Sequence, residues 1–154
     1  HVSQRGGKAV LVPAEAVGCL ATNIYHEARG ESLEGQYAVA EVTLNRVASP
    51  DYPDDICGVV KQGYVDANGN PKRNQCQFSW WCDGRSDKPK DEDAWKKAVA
   101  VAGMAIENYE STTYYLVGYD VHHYHSEKVK PRWAKTMKRI AKIGTHIFYR
   151  KKNT

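Results

Sequence analysis

Two glutamates flank an arginine and a glycine in the segment IYHEARGES, residues 24–32, which follows an apolar run. On a helical wheel, Glu27 lies about 20° from the direction of Leu20 and three residues after Ile24. Its carboxyl group is therefore expected on the apolar side of a helix, near the C-terminal end. Burial and the negative end of the helix dipole both raise the pKa of a carboxyl group there. A raised pKa is what a general acid working near neutral pH requires.

The residues alone leave the roles of both glutamates open. Glu27 could instead form an ordinary ion pair with Arg29 or Arg46. Glu31 follows Gly30, so the helical wheel gives its side chain no direction. It either supports a site around Glu27 or stabilises the start of the next helix.

A second candidate segment, YDVHHYH, concentrates histidines around a tyrosine, in an expected loop after a strand. In an extended chain His123 and His125 share one face, while His122 points to the other. Three close histidines suit a metal, but no HExxH or paired CxxC spacing accompanies them. We therefore expect no metal site, and we assign His123, Tyr124 and His125 to substrate hydrogen bonding and packing.

The segment QCQFSWWCDG offers amide, hydroxyl and aromatic groups of the kind that bind sugars. Its candidates are Gln77, Phe78, Ser79 and Trp81. Alternatively, Phe78 and one tryptophan fill the core. Because adjacent residues in an extended chain point opposite ways, one of Trp80 and Trp81 is expected to be buried and the other exposed. Ser79 lacks the GxSxG setting of a serine nucleophile, and no cysteine has a nucleophile signature.

Apolar spacing and turn residues predict the elements that position these groups. The expected class is α+β, mostly α, with a small β element. The NG pair within residues 61–90 suggests a hairpin turn. Predicted helices are 13–29, 33–48 (capped by Ser32), 92–109 and 131–144, and predicted strands are 112–118 and 146–150.

Length and charge set the broad class. The chain has 154 residues, the size of one domain, and 22 basic against 18 acidic residues give a net charge of +4. This mild charge does not demand nucleic acid. No apolar run approaches the roughly 20 residues of a membrane-spanning helix. Residues 1–12 are not a signal peptide, and we expect a flexible leader or expression remnant there. Residues 151–154 are a predicted tail.

Four cysteines permit two disulfides and an exported setting. Cys76 and Cys82 are close enough in sequence for a bridge that closes a small loop. The favoured reading of Cys19 is a buried apolar residue within its helix. The other three cysteines, at 57, 76 and 82, would then give one bridge and one remaining thiol.

Five segments in order resemble the SleB/CwlJ family of cell-wall hydrolases over about residues 16–150. They are YHEARGESLEGQYAVAEVTLNRV, PDDICGVVKQ, CQFSWWCDG, HYHSEKVKPRWAK and IGTHIFYR. The first is long and specific. The cysteine-bearing CQFSWWCDG is more similar to members from Gram-negative bacteria and their phages than to spore germination enzymes.

This resemblance implies a lysozyme-like catalytic domain over residues 13–150, acting on the glycan strands of peptidoglycan. The first Glu of EARGE, here Glu27, would be the catalytic acid and then base of a lytic transglycosylase. A true muramidase with a second carboxylate, or a non-catalytic glycan-binding module, are the alternatives. The resemblance further implies no cofactor, a monomer, and a periplasmic or secreted location.

Overall fold

The computed structural model of the chain describes residues 2–5, 8–11, 14–65, 71–111 and 115–152. Four α-helices are present in this part of the chain, together with seven strands in three antiparallel sheets. The helices are α1 (Ala14–Ala28), α2 (Leu33–Ala48), α3 (Ile56–Val60) and α4 (Glu92–Ser111). The strands are β1 (Val2–Arg5), β2 (Lys8–Leu11), β3 (Gly63–Val65), β4 (Pro71–Cys76), β5 (Val121–Ser126), β6 (Met137–Ile143) and β7 (His146–Lys151).

The predicted helices 13–29, 33–48 and 92–109 are confirmed to within one or two residues. As predicted, Ser32 caps α2, where its Oγ accepts a hydrogen bond from the Gly35 amide at 3.2 Å. Every residue of α2 from Gly35 to Val47 is buried. Leu33, the first residue of α2, is 53% exposed and so precedes this buried stretch.

The central helix α2 lies between two apolar clusters. On one side α1, α3 and α4 contribute to the larger cluster, which includes Leu20, Ile24 and Ile106. On the other side the smaller cluster packs α2 against the sheet through Val39 and Phe148. This arrangement places the C-terminal half of α1 beside the sheet.

The predicted helix over 131–144 is wrong. A short 3₁₀ helix, Arg132–Thr136, is followed by β6, which pairs with β7 through a turn at Gly144 (φ +60°). Lys, Arg and Ala favour a helix locally, but the β-forming strand HIFYRK offers a hydrogen-bonding partner. Ile140, within β6, is 38% exposed. The exposed lysines of β6 suit an edge strand, since charge there opposes further pairing.

The predicted strand 146–150 is confirmed, because this segment lies within β7, the central strand of the order β5–β7–β6. The predicted strand 112–118 is wrong for its described part, since residues 115–118 form a loop. Residues 112–114 lie outside the described residues. The loop lacks a neighbouring strand because its backbone amides bind the Glu41 carboxylate of α2: Leu116 N at 2.7 Å, Val117 N at 3.0 Å and Gly118 N at 3.1 Å.

The segment YDVHHYH, predicted as a loop, largely forms the edge strand β5. Strands β3 and β4 pair as a hairpin, and its predicted NG turn lies outside the described residues. Within residues 1–12, predicted as a flexible leader, the described segments Val2–Arg5 and Lys8–Leu11 pair as the antiparallel strands β1 and β2. No helix in the described ranges is both long enough and apolar enough to cross a bilayer.

The cysteines form two disulfides, Cys19–Cys57 and Cys76–Cys82. The small-loop bridge is confirmed, whereas the expectation of Cys19 as an unpaired core residue is wrong. Cys19 is half-buried at the surface of α1, where α3 crosses it. Spacing along the chain cannot show which distant helix covers a given face.

Removing the Cys19–Cys57 bridge, by changing both residues to serine, is expected to lower the free energy of unfolding by about 4 kcal/mol. The bridge spans 38 residues and so restricts the unfolded chain strongly. The matched variant without Cys76–Cys82, which spans 6, should lose only about 2 kcal/mol. Urea denaturation measures the free energy of unfolding of both variants. An equal loss in the two, or a larger loss without Cys76–Cys82, would contradict the prediction.

Candidate active site

Glu27 lies one residue before the end of α1, with its side chain half-buried between the helix and the sheet. The Tyr124 hydroxyl of β5 donates a hydrogen bond to Glu27 Oε1 at 2.7 Å. Burial raises the pKa of Glu27 above the usual carboxyl value, and this outweighs the opposing effects of Tyr124, His146 and Arg46. The site thus holds a carboxyl group suited to donate a proton near neutral pH.

Tyr124 positions this acid. Burial, followed by the adjacent Glu27 carboxylate, raises the pKa of the Tyr124 phenol well above its usual value, so the hydroxyl keeps its proton and donates it. Because Oε1 accepts this bond, the proton of a protonated Glu27 belongs on Oε2. A contact between α1 and β5, 97 residues apart in sequence, therefore decides which oxygen of Glu27 is free to carry a proton.

A buried polar network extends from this pair along α1. Asn23, one turn before Glu27, is fully buried; its Oδ1 accepts from Trp80 Nε1 at 2.9 Å and its Nδ2 donates to Thr43 Oγ1 at 3.3 Å. The Trp80 ring also stacks on His26 at 4.7 Å. These contacts hold the loop that follows β4 against α1. Sequence reasoning missed Asn23, although an amide at an apolar helical position is a detectable signal.

Arg46 is the buried cation of the site. Its Nε donates to the His122 carbonyl at 2.8 Å, and its guanidinium lies 5.2 Å from the Tyr52 ring and 5.3 Å from the Phe78 ring. Its buried Nη1 has no hydrogen-bond partner in the described part of the chain. The proposed Glu27–Arg46 ion pair is not among the salt bridges of the described residues. Arg46 instead acts on Glu27 through its charge, which lowers the pKa of that carboxyl.

Glu31 fixes the turn between β6 and β7. Its Oε1 accepts hydrogen bonds from Thr145 N at 2.7 Å and Thr145 Oγ1 at 2.9 Å, and lies 3.5 Å from His146 Nδ1. Partial burial opposes these interactions, yet together they hold the pKa of Glu31 below its usual value. A Cβ at Gly144 would collide with the Glu31 carboxylate. Glu31 therefore remains ionised and holds the sheet near the end of α1.

Strand alternation separates Tyr124 from the neighbouring histidines. Tyr124 shares its sheet face with His146 and Phe148, toward the helices. As predicted, His123 and His125 share the other face, where both contact Trp133 at 5.5 and 5.6 Å. Burial and then Arg46 lower the pKa of His123 to about 4, so this ring is neutral at pH 7.

The remaining histidines have protein partners. His122 was expected to point away from His123, but a bulge in β5 brings both to Tyr52. His122 stacks on the Tyr52 ring at 5.8 Å, and His123 Nε2 lies 3.4 Å from its hydroxyl. His125 donates from Nδ1 to the Ser126 carbonyl, and its Nε2 lies 2.7 Å from the Tyr149 hydroxyl. No group of three metal-ligating side chains occurs within the described ranges.

The candidates between the second pair of cysteines lie in different places. Gln77 and Ser79 are exposed, whereas Phe78 is buried in the larger core cluster beneath Arg46. Of the two tryptophans, Trp80 is 8% exposed, as predicted for one of them, but Trp81 is half-buried and not exposed. Both lie in the 3₁₀ helix Ser79–Cys82 and not in an extended chain. Trp81 lines a cleft on the outer side of α1. The structure thus joins Tyr124 directly to Glu27, and the other predicted residues surround this pair at greater distance.

Changing Tyr124 to phenylalanine is expected to raise the pKa of Glu27, because the lost hydrogen bond lowers it at present. Since the general acid acts in its protonated form, the alkaline limb of the pH–kcat profile should move to higher pH. The rate itself should fall by about tenfold at most. Clearing of purified sacculi across a pH series measures both effects.

Tyr149→Phe is the matched control for this prediction. The Tyr149 hydroxyl contacts His125 on the opposite sheet face, so the same deletion there should leave the limb unchanged. An unshifted limb in Tyr124→Phe, or equal shifts in both variants, would contradict the assigned role of Tyr124.

Two solved structures resemble this chain. The catalytic domain of the germination-specific lytic transglycosylase SleB from Bacillus anthracis superposes with a TM-score of 0.62 at 26% identity, covering 90% of this chain and 97% of that domain. The catalytic domain of the Bacillus cereus SleB protein gives 0.63 at 26% identity, covering 96% and 98%. Both likenesses therefore extend over a whole catalytic domain.

Curated proteins show the same relationship. A spore cortex-lytic enzyme of Halalkalibacterium halodurans is 32% identical over 145 residues, which are 92% of this chain and 38% of that protein. One from Bacillus subtilis (strain 168) is 31% identical over 129 residues, 84% of this chain and 35% of that protein. The chain spans about two fifths of the length of the curated relatives it matches.

The sequence model of the family described as Cell Wall Hydrolase matches residues 30–149, beginning three residues after Glu27. The match covers most of the chain, including α2, the loop 77–82 that carries Trp80 and Trp81 (the aromatic loop), and nearly all of the three-stranded sheet. Together with the relatives, it shows that this chain belongs to the Cell Wall Hydrolase family.

Proposed function

We propose that this domain cleaves the β-1,4 bond between N-acetylmuramic acid and N-acetylglucosamine in peptidoglycan, as a lytic transglycosylase that leaves 1,6-anhydro ends. One observation carries the proposal: Glu27 is a carboxyl group with a raised pKa, and its Oε1 is held by Tyr124. Besides burial and the Tyr124 hydrogen bond, the main influences on the pKa of Glu27 come from His146, Arg46 and His26, none of which is a carboxyl group. A site with one acid suits a reaction in which the substrate supplies the nucleophile.

The first step is proton donation. Protonated Glu27 transfers its proton from Oε2 to the glycosidic oxygen, and the bond between that oxygen and C1 of the muramic residue breaks. N-acetylglucosamine leaves with a new hydroxyl, and positive charge develops at C1. The muramic N-acetyl group assists as an internal nucleophile. Glu27, now a carboxylate, is stabilised by the Tyr124 hydrogen bond and the nearby Arg46 charge.

The second step uses Glu27 as a base. Its carboxylate takes the proton of the C6 hydroxyl of the same muramic residue, and the C6 oxygen bonds to C1. The product is the 1,6-anhydro sugar, and Glu27 regains its starting proton. Ordinary glycosidases divide acid and nucleophile or base between two carboxylates. Here Glu31, the nearest candidate in sequence, already binds Thr145 and lies near His146.

Substrate contacts are assigned in the same proposal. Gln77 and Ser79 are exposed on the aromatic loop next to Trp80 and are available to the glycan. Phe78 supports Arg46 from the core. Glu31 acts through the β6–β7 turn. Two further contacts with the glycan are assigned at a distance from Glu27: Trp81 on the outer side of α1, and His123 and His125 on the outer face of the sheet. A glycan strand reaches these residues only if it extends beyond Glu27 and Tyr124.

Digestion of purified peptidoglycan followed by mass analysis of the products tests the reaction. A lytic transglycosylase releases muropeptides lighter by one water than those of a muramidase, and borohydride does not reduce their ends. Reducible ends would replace the proposal by lysozyme-type hydrolysis. Absence of any product from sacculi that a lysozyme digests would favour a non-catalytic glycan-binding module.

We also propose an exported setting, either periplasmic or secreted, supported by two disulfides, which persist in oxidising compartments. The proposed substrate, peptidoglycan, also lies outside the cytoplasmic membrane. The loop closed by Cys76 and Cys82 supports a Gram-negative or phage-type member of the family, including an endolysin. The domain is proposed to act as a monomer without a cofactor.

A further inference from the structure

A cleft of about 550 Å³ lies on the outer side of α1, within the size range of small-ligand sites. We call it the tryptophan cleft. Helix α1, the end of α3, the 3₁₀ helix Ser79–Cys82, the loop before α4 and the first turn of α4 form its walls. Its lining residues are Glu15, Gly18, Cys19, Thr22, Val60, Lys61, Trp80, Trp81, Asp87, Lys88, Pro89 and Trp95.

The cleft is distinct from the Glu27 pair. Glu15, Gly18 and Thr22 lie on the face of α1 opposite its core residues, whereas Glu27 lies on the side facing the sheet. Trp80 stands between the two regions, because it lines the cleft and also donates to Asn23 beside Tyr124. A ligand in the cleft would therefore lie beyond Trp80 from the catalytic carboxyl group.

The lining chemistry suits a neutral ligand with hydroxyl and amide groups. Two half-buried indoles, Trp81 and Trp95, line the cleft, and indole rings are of the kind that pack on the C–H faces of pyranose rings. Lys61 Nζ lies 5.1 Å from the centroid of the Trp81 ring, so a sugar that stacks on that face displaces the lysine. Two basic side chains, Lys61 and Lys88, are balanced by two acidic ones, Glu15 and Asp87. This balance favours neither a polyanion nor a polycation, and the charged groups and Thr22 can hydrogen-bond a sugar.

Both disulfides stabilise the walls of the cleft. Cys19–Cys57 ties α1 to α3, and Cys19 itself lines the cleft. Cys76–Cys82 closes the loop that carries Trp80 and Trp81. The two bridges hold the indoles in place before a ligand arrives, which reduces the ordering cost of binding.

We propose that the tryptophan cleft is a second saccharide-binding site, which takes an N-acetylated sugar unit of the glycan away from the bond being cleaved. The inference rests on the proposed function, since the polymer of that function consists of such sugars. Occupying a second site on one polymer raises the effective concentration of the next bond at Glu27. The expected consequence is stronger retention on sacculi, with the chemistry at Glu27 unchanged.

The test follows the indole N–H signals of the four tryptophans by NMR while the β-1,4-linked trimer of N-acetylglucosamine is added to the intact protein. We expect saturable shifts for Trp81 and Trp95. Trp133 packs on His123 and His125 of the outer sheet face, so a shift of its signal reports glycan bound on that face and is scored separately from the cleft. Single Trp→Phe variants assign the signals.

Gly18 supplies a matched pair of variants, because a Cβ there meets no atom within 4 Å. Gly18→Leu places a branched side chain in the cleft and should weaken trimer binding by about fivefold or more, whereas Gly18→Ala should weaken it less than about twofold. Thr22→Leu is a second obstructing variant, should Gly18→Leu unfold. Thermal melting confirms that each variant is folded.

Several outcomes would overturn the inference. The first is the absence of saturable shifts at Trp81 and Trp95 when the trimer is added. The second is a set of shifts that stays the same in both obstructing variants. The third is a set of shifts caused by a free stem peptide and not by the trimer. Product analysis is independent of these readouts. If the enzyme makes anhydro products but the obstructing variants bind the trimer as well as the unmodified protein, the cleft proposal is refuted and the proposed function stands. If trimer binding depends on the cleft but no product forms, the proposed function is refuted and the cleft proposal stands.

Discussion

Glu27→Gln is expected to lower the rate of sacculus digestion by roughly 10³-fold, because the amide can neither donate the proton nor accept it back. The variant should fold normally, since glutamine has nearly the same shape and its Oε1 can still accept the Tyr124 hydrogen bond. Release of soluble muropeptides, measured under initial-rate conditions, gives the ratio. Melting temperature, followed by circular dichroism, separates lost chemistry from lost structure.

Glu34→Gln is the control for this experiment. Glu34 is exposed in the first turn of α2, so the same chemical change there should leave turnover within about twofold of the unmodified enzyme. Near-normal digestion by Glu27→Gln would remove Glu27 from the mechanism. A loss of rate with Glu34→Gln equal to that with Glu27→Gln would show that the effect is not specific to the site.

Glu41→Ala is expected to destabilise the domain by about 3–5 kcal/mol. The Glu41 carboxylate is 2% exposed and accepts three backbone hydrogen bonds from the loop 116–118. Alanine would leave these amides without their acceptor. Asn45, one turn later, donates to the Gly118 and Val121 carbonyls, so the same helix face also holds the start of β5. Because β5 carries Tyr124, we expect the activity to fall as well.

Urea denaturation measures this loss, with Glu34→Ala as the matched control. Both changes replace a glutamate of α2 by alanine, but only Glu41 is buried and bound to backbone amides. The exposed variant should change stability by less than about 1 kcal/mol. Equal stability of Glu41→Ala and the unmodified protein would refute the bracing role of this carboxylate.

Helical periodicity was sufficient for the part of the site that belongs to α1. Glu27 was expected on the apolar side near a helix end, and the structure places it half-buried there with a raised pKa. The same reasoning predicted α2 and α4 and the cap at Ser32, because local spacing and capping chemistry determine these features. The opposite faces of Tyr124 and His123 in β5 follow from strand geometry alone.

Predictions failed where a segment depends on a distant partner. Residues 137–143 have helix-favouring composition, yet they pair with β7 as a strand. Residues 115–118 contain aromatic and branched residues typical of strands, yet the buried Glu41 carboxylate binds their amides instead. Cys19 lies among apolar residues of α1 and was therefore expected to be an unpaired core residue, yet it forms a disulfide with Cys57 where α3 packs on α1.

The sequence by itself determined the helical frame, the position of a buried acid at the end of α1, and the family to which its motifs point. Only the tertiary structure decided which groups act on that acid. Tyr124, Arg46 and His146 come from β5, α2 and β7, and their approach depends on how the sheet packs against the helices. Local periodicity reports which side of an element is buried, because burial follows from spacing. It does not report what lies opposite, because that depends on chain segments tens of residues away.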